Sequence, residues 1–207
     1  MKERPILFSS EMVRAILEGR KTQTRRVVKS LVSINHSGLS HDPMVLHDGD
    51  WIKPNEWSPY GQPGDRLWVR ETWGLTPELD LQLLKDDLTP IDISIDDAQH
   101  VGYKADCSGA NAVTKWRPSI YMPRWASRIM LEIVSVRVER VQDANAESYI
   151  EEGIHVSMYE PAGKSTGNPE EAAFKTLWDS INAKRGYSWD SNPWVWVIEF
   201  KVVEESA

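Results

Sequence analysis

The chain has 207 residues and a net charge of −7, with 41% hydrophobic and 27% charged residues. That is enough to bury a core in one large domain or two small ones, and no linker or internal repeat divides it, so a single domain over 1–207 is expected. No apolar run approaches a membrane span, no signal-like leader opens the chain, and one cysteine (Cys107) cannot close an internal disulfide, so a cytoplasmic protein without a membrane partner is expected.

Five scattered histidines and one cysteine make no zinc pattern, and no metal or cofactor is expected. His36, His41 and His47 share a loop with Asp42 and Asp48 and read as solvated. Ten tryptophans against three phenylalanines is unusual. Large rings fill cores, and they also stack on flat ligands. The acidity is uneven: the stretch 74–100 carries seven acids and one lysine, net −6, which leaves the rest at −1. There is thus no chain-wide basic surface for a long phosphate backbone.

Pro5–Phe8 is apolar and reads as an opening strand. Ser9 or Ser10 caps a helix with Glu11 in its first turn, Met12, Ala15 and Ile16 follow at helical spacing, and Gly19 is the stop. Then comes Gly19–Arg26, G-R-K-T-Q-T-R-R. Between Arg20 and Lys29 there are five cations and no acid. Arg26–Lys29 reads as a strand.

The stretch from Leu31 to Asp65 reads mostly as loop, with Trp51 and Trp57 exposed and a turn at Gln62–Asp65. Arg66–Trp73 alternates, placing Leu67, Val69, Glu71 and Trp73 on one face and Trp68, Arg70 and Thr72 on the other. The acidic stretch 74–100 reads as a loop insertion, with Leu79–Leu84 a candidate helix. Val101–Ala105 is a candidate strand, and Pro118–Arg128 a loop.

Ile129–Val141 is the longest β-branched run. Ile129, Leu131 and Ile133 set one phase and Val134, Val136 and Val138 the other, which predicts a bulge or a strand buried on both faces. Ala144–Glu152 is a short helix capped by Asp143 or Asn145 and stopped by Gly153. Asn168-Pro-Glu-Glu opens the strongest helix. Its core stripe is Phe174, Leu177, Trp178 and Ile181, and Gly186 ends it. A closing strand, Trp194–Val203, places Trp194, Trp196, Ile198, Phe200 and Val202 on one face. Short strands with a few short helices, and no βαβ rhythm, predict an α+β fold: a small mixed β-barrel with peripheral helices and long loops.

The basic turn carries the chemistry. A threonine hydroxyl becomes a nucleophile when a neighbouring base takes its proton. A lysine serves as that base when burial or nearby cations lower its pKa. Arg20, Arg25 and Arg26 supply such cations. On a regular strand Lys21 and Thr24 point to opposite faces, so they converge only if Lys21 lies in the turn and Thr24 in the strand proper. A solvated basic turn is the plainer alternative.

The run E-G-R-K-T-Q-T-R-R resembles the signature of the ASCH family, small PUA-like β-barrel proteins. Ala146–Ile154 (A-E-S-Y-I-E-E-G-I) resembles the family's late short helix with its acid, and V-I-E-F-K at Val197–Lys201 resembles its closing strand. Gly64–Trp73 and Trp116–Trp125 resemble a larger branch found in phages and prophages. The loops at 31–63, 75–115 and 155–168 are additions to the small pattern.

Small bacterial members include an amidohydrolase that removes the acetyl group of N(4)-acetylcytidine. The resemblance implies Lys21 as base, Thr24 as nucleophile or water-positioner and Glu152 as acid, with Glu151 its neighbour as the alternative. It also implies Arg26 in a pocket for a pyrimidine-like base, and Arg25 beside it is a further substrate-binding candidate. Glu71, Trp73, Arg124 and Trp125 are further candidates for binding the substrate. The family also contains RNA-associated proteins and a proposed ribonuclease. The expected partner is therefore a small nucleoside or a single-stranded or modified nucleic acid. A non-catalytic nucleic-acid reader is the alternative function, and a nuclease ranks last.

Overall fold

A computed structural model of the chain describes residues 1–29, 32–34, 43–54, 56–77, 80, 100–106, 113–154 and 168–203. Cys107, His36, His41, Asp42, nearly all of the acidic stretch 74–100 and the candidate helix Leu79–Leu84 except Asp80 lie outside the described residues. The chain packs as two compact units, each discontinuous in sequence. The first takes Met1–Glu18, Arg66–Leu131 and the end of the chain from Val202. The second takes Gly19–Asp65 and Glu132–Lys201.

In the first unit, strand β1 (Glu3–Leu7) leads into helix α1 (Ser10–Leu17). The Ser9 side chain accepts from the Met12 amide as the N-cap, and Gly19 follows the helix at φ +72°, where only glycine sits without strain. Helix α1 buries Met12, Val13, Ala15 and Ile16, the face that its periodicity marks. Strand β6 (Arg66–Arg70) pairs parallel with β1, Glu3 opposite Arg66 through Leu7 opposite Arg70. The Val69 amide donates to Ile129 O, 3.0 Å, at the start of strand β9 (Met130–Arg140). Strands β7 (Trp73–Leu75) and β8 (Val101–Tyr103) form an antiparallel pair. Trp73, Leu75, Met122 and Ala126 make its core, with Val101, Tyr103 and Trp125 packed against it.

The second unit holds strand β2 (Gln23–Val27), which pairs antiparallel with β10 (Trp194–Val202), and β10 lies between β2 and β9. The sequence reading started this strand at Arg26. It starts at Gln23 instead, because Gln23–Val27 opposes the apolar run Val195–Glu199 and the ladder supplies what local propensity does not. The stretch read as loop before residue 65 contains three short strands in antiparallel order, β3 (Val32–Ile34), β4 (Pro43–His47) and β5 (Asp50–Ile52). Trp57 is half-buried rather than exposed, because it stacks on His47 at 3.7 Å and meets Trp196 edge-on at 6.1 Å.

Helix α2 (Ala146–Glu151) is capped by Asn145, which accepts from the Ser148 amide, and Gly153 follows at φ +79°. Helix α3 (Pro169–Asn182) is capped by Asn168 with Pro169 in its first turn. A 3-10 turn, Ala183–Arg185, carries it to Gly186. Its buried stripe is Ala173, Phe174, Trp178 and Asn182, while Ile181 is 50% exposed. The stripe is displaced because Phe174 anchors a ring cluster with Tyr149, Trp178 and Trp189 at 5.3 to 6.2 Å.

Strand β9 changes the parity of its buried residues, as its two phases predict. Leu131 and Ile133 are buried, then Val136 and Val138, with Val134 exposed between them. The Gln62–Asp65 turn bonds to β9 at that point, through Gly64 N to Ile133 O and Ile133 N to Asp65 O. Strand β10 buries both faces at Val195–Ile198, while Val202 is exposed. The architecture is thus mixed α+β. Among the described residues the ladders end on the edge strands β1 and β2, so the sheets are open and form no closed barrel. No helix among the described residues is long and apolar enough to cross a membrane.

Candidate functional site

The centre of the second unit's charge is Lys21. It sits in the turn ahead of β2 and forms an isolated antiparallel bridge with Glu152. The Thr22 amide donates to Glu151 O at 2.9 Å, and Phe200 N donates to Thr22 O at 2.8 Å, so the turn is held between α2 and β10. Lys21 is therefore not a solvated basic residue; it is 3% exposed. Its ammonium donates to three oxygens: Gln23 O at 2.8 Å, Glu152 O at 2.8 Å and Glu152 Oε2 at 2.9 Å.

Glu152 is the C-cap of α2 and is buried. Its second oxygen, Oε1, accepts from Arg25 Nη1 at 3.2 Å. Arg25 also donates to Glu139 Oε1, from Nη2 at 2.6 Å and from Nε at 3.1 Å. Its guanidinium lies 5.9 Å from the Phe174 ring centroid, and Arg20 Nη1 donates to Gly153 O at 3.2 Å. Three cations therefore gather at the C-terminal end of α2, where the free carbonyls carry partial negative charge.

Burial lowers the Lys21 ammonium below its ordinary 10.5, with the Glu152 carboxylate acting in the opposite sense and Arg26 and Arg25 adding to the lowering. Burial also lowers the Arg26 guanidinium, against Tyr60 and Glu152, and raises the Tyr60 phenol, against Arg26. Of the two adjacent acids, Glu152 rather than Glu151 carries the contacts to Lys21 and Arg25. Glu151 is only half-buried, and burial followed by Glu147 raises its carboxyl.

Thr24 is buried within β2, opposite Ile198. Lys21 thus lies in the turn and Thr24 in the strand proper; the Lys21 ammonium donates to Gln23 and Glu152. Strand alternation puts Thr24 with Arg26 on one face and Gln23 with Arg25 on the other. Gln23 is fully buried; its Nε2 donates to Ser148 O at 2.8 Å, while its Oε1 has no hydrogen-bond partner.

The remaining sequence candidates belong to the first unit. Glu71 is 1% exposed and is gripped by Arg128, Nε to Oε1 at 2.9 Å and Nη2 to Oε2 at 3.3 Å. Arg128 also donates to both oxygens of Asp106, at 2.6 and 2.8 Å. Burial raises the Glu71 carboxyl against the pull of Arg128. Burial lowers the Arg128 guanidinium, but its bonds to Asp106 and Glu71 outweigh that and raise it. Tyr103, under the Arg128 guanidinium at 3.9 Å, is pushed up to about 12 by burial.

Arg124 is tied to Glu3 at 3.1 Å, and Trp125 meets Trp73 edge-on at 6.0 Å. Trp73 lines a cleft of about 640 Å³ with Arg70, Arg117 and Tyr121; Glu71, Arg124 and Trp125 are not among its lining residues. Sequence reasoning missed Glu139, which sits in the β-branched run at a position with no sign of a distant partner. It also missed the lining arginines, although Trp116-Arg-Pro-Ser-Ile-Tyr is an aromatic and basic segment. Among the described residues no group of three or more His, Cys, Asp or Glu side chains could hold a metal ion.

Comparison of the chain with protein-family models, with curated proteins and with solved structures finds no match.

Proposed function

We propose that the second unit carries an amide-hydrolysing site of the ASCH type on a PUA-like scaffold, with N(4)-acylated cytidine or a related acylated pyrimidine nucleoside as substrate. The observation that supports this reading is the buried 2.9 Å hydrogen bond between Lys21 and Glu152. Burial favours loss of the Lys21 proton, and in the proposed cycle that proton passes along this bond to Glu152 Oε2. Lys21 is then the base, and Glu152 the acid.

In the proposed reaction Lys21 takes a proton from water, or from the Thr24 hydroxyl, as that oxygen bonds to the amide carbon. The carbon–nitrogen bond breaks with its electron pair on nitrogen, and Glu152 supplies the proton that completes the leaving amine. Return of the proton from Lys21 to Glu152 restores the starting pair. If Thr24 is the nucleophile, water repeats the cycle on the threonyl ester. Arg25 holds Oε1 of Glu152 and leaves Oε2 to face Lys21.

The test is release of cytidine from N(4)-acetylcytidine by the purified protein. Lys21→Arg keeps the cation and removes the base, and Glu152→Gln removes the acid. Both are expected to abolish turnover while the proteins still melt cooperatively. In the wild type, kcat/KM is expected to rise with pH to a plateau reached below the ordinary lysine value. Absence of turnover across a panel of N-acylated nucleosides would overturn the reading. Two of the further substrate-binding candidates have partners of their own in the first unit, Arg124 in Glu3 and Trp125 in Trp73.

A further inference from the structure

The cleft of the first unit plays no part in that chemistry. Its volume, about 640 Å³, falls among cavities that enclose small organic ligands, roughly 300–1,000 Å³. Three buried nitrogen donors on its lining residues have no hydrogen-bond partner among the described residues: Arg70 Nε, Trp73 Nε1 and Arg117 Nη1. Folded proteins rarely leave such groups unmet, so three on one cavity is a strong departure. All three are N–H donors. A ligand that completes them must bring acceptors.

The walls are also fixed in place. Trp73 is 1% exposed. Its backbone pairs with Arg117 in both directions, Trp73 N to Arg117 O at 3.3 Å and Arg117 N to Trp73 O at 2.7 Å. Arg117 Nη2 is held by Asp80 Oδ1 at 2.7 Å, which leaves Nη1 as its unmet end. Arg70 rests over the Trp68 ring at 4.7 Å. Lys115 is a third cation among the lining residues.

Apolar and aromatic groups make up the rest. Tyr121, 71% exposed, and half-buried Trp116 are the other aromatic lining residues, and exposed Ile120 contributes apolar surface. A bare inorganic anion would leave these unused, and a neutral apolar ligand would leave the donors unmet.

We propose that this cleft binds a nucleoside-phosphate unit. The phosphate oxygens take the Arg70 and Arg117 donors with Lys115 nearby. The base accepts from Trp73 Nε1 and stacks on an exposed ring such as Tyr121. The unit is either a free nucleotide or one residue of a single strand, and the two sources present the same chemistry.

The test is titration of the full chain with adenosine 5′-monophosphate, adenosine, inorganic phosphate and a short single-stranded oligoadenylate. Affinity comes from calorimetry, and the site is read from the indole N–H resonance of Trp73, assigned by its loss in Trp73→Phe. Binding of the monophosphate is expected to be about ten-fold or more tighter than that of adenosine or of phosphate alone, since charge and stacking act together. Arg117→Gln and Arg70→Gln are expected to weaken it by about ten-fold each, with cooperative melting retained, while Lys184→Ala binds like the wild type.

Binding by the oligoadenylate but not the monophosphate would place the unit within a strand. Phosphate binding as tightly as the monophosphate would overturn the proposal, and so would an unmoved Trp73 resonance. Lys21→Arg is expected to lose hydrolysis and keep this binding, so either proposal can fail while the other stands.

Discussion

Two groups of side chains differ in one respect, whether their buried donors are met. In the second unit Lys21 places three donors on three oxygens, and Arg25 divides its guanidinium between Glu152 and Glu139. In the first unit's cleft, Arg70, Trp73 and Arg117 each keep a buried donor without an acceptor. A saturated cluster fixes the positions of its groups and passes protons along its own hydrogen bonds. An unsaturated one leaves donors for acceptors from outside.

The largest expected effect breaks the saturated cluster. Glu152→Gln leaves Lys21 and Arg25 without their shared carboxylate, and is expected to cost about 3–5 kcal/mol in denaturant unfolding. Arg117→Gln, on the unsaturated side, is expected to change stability by no more than about 1 kcal/mol, because it removes an unmet donor along with one partly exposed ion pair. Equal losses in the two variants would erase the distinction.

Next in size is Gly74→Ala. A Cβ there would run into the Val113 side chain and lie 2.7 Å from Lys115 O. Overpacking of this kind costs about 1–3 kcal/mol. Because Lys115 lines the cleft, nucleotide binding is expected to weaken with it, while the Lys21 site keeps its activity. A stable variant with unchanged binding would show that the cleft wall yields freely.

A smaller effect tests how Glu152 is positioned. Asn145→Ala removes the cap of α2, at an expected cost of about 1 kcal/mol. The helix is only six residues long, so loosening its start should reach Glu152 and lower kcat more than it raises KM.

The smallest concerns pH. Burial raises the Glu199 carboxyl, but its bonds to Ser135 and Arg137 outweigh that and hold it below its ordinary 4.5. A carboxyl lowered in the folded state contributes stability above that ordinary value, and loses it as pH falls through the lowered one. Glu199→Gln is therefore expected to flatten the fall of Tm on the acid side of pH 4.5. The side chain is 38% exposed, so the change will be modest, and an unaltered acid limb would show that solvent screens the pair.

Local signals were read well where the physics is local. Ser9, Asn145 and Asn168 cap their helices because a side-chain oxygen meets an amide two or three residues on, and both partners lie in one short segment. Gly153 stops α2, and the buried residues of β9 change parity as its two phases predict, except that Val134 is exposed. Glu152 emerged from the resemblance of its helix, but only the contacts with Lys21 and Arg25 separate it from Glu151.

Other features need partners far along the chain. Strand β2 begins at Gln23 because β10 faces it, and Trp57 is covered because His47 and Trp196 reach it. Glu71, read as a substrate-binding candidate, is held by Arg128 from 57 positions away.

By itself the sequence determined the helix caps and stops, much of the apolar patterning and the place of a basic turn, since propensity, capping and alternation act over a few residues. Tertiary structure alone decided which anion the turn meets and which donors remain unmet. Desolvation and hydrogen-bond balance depend on everything packed around a group, and segments distant in sequence supply most of that.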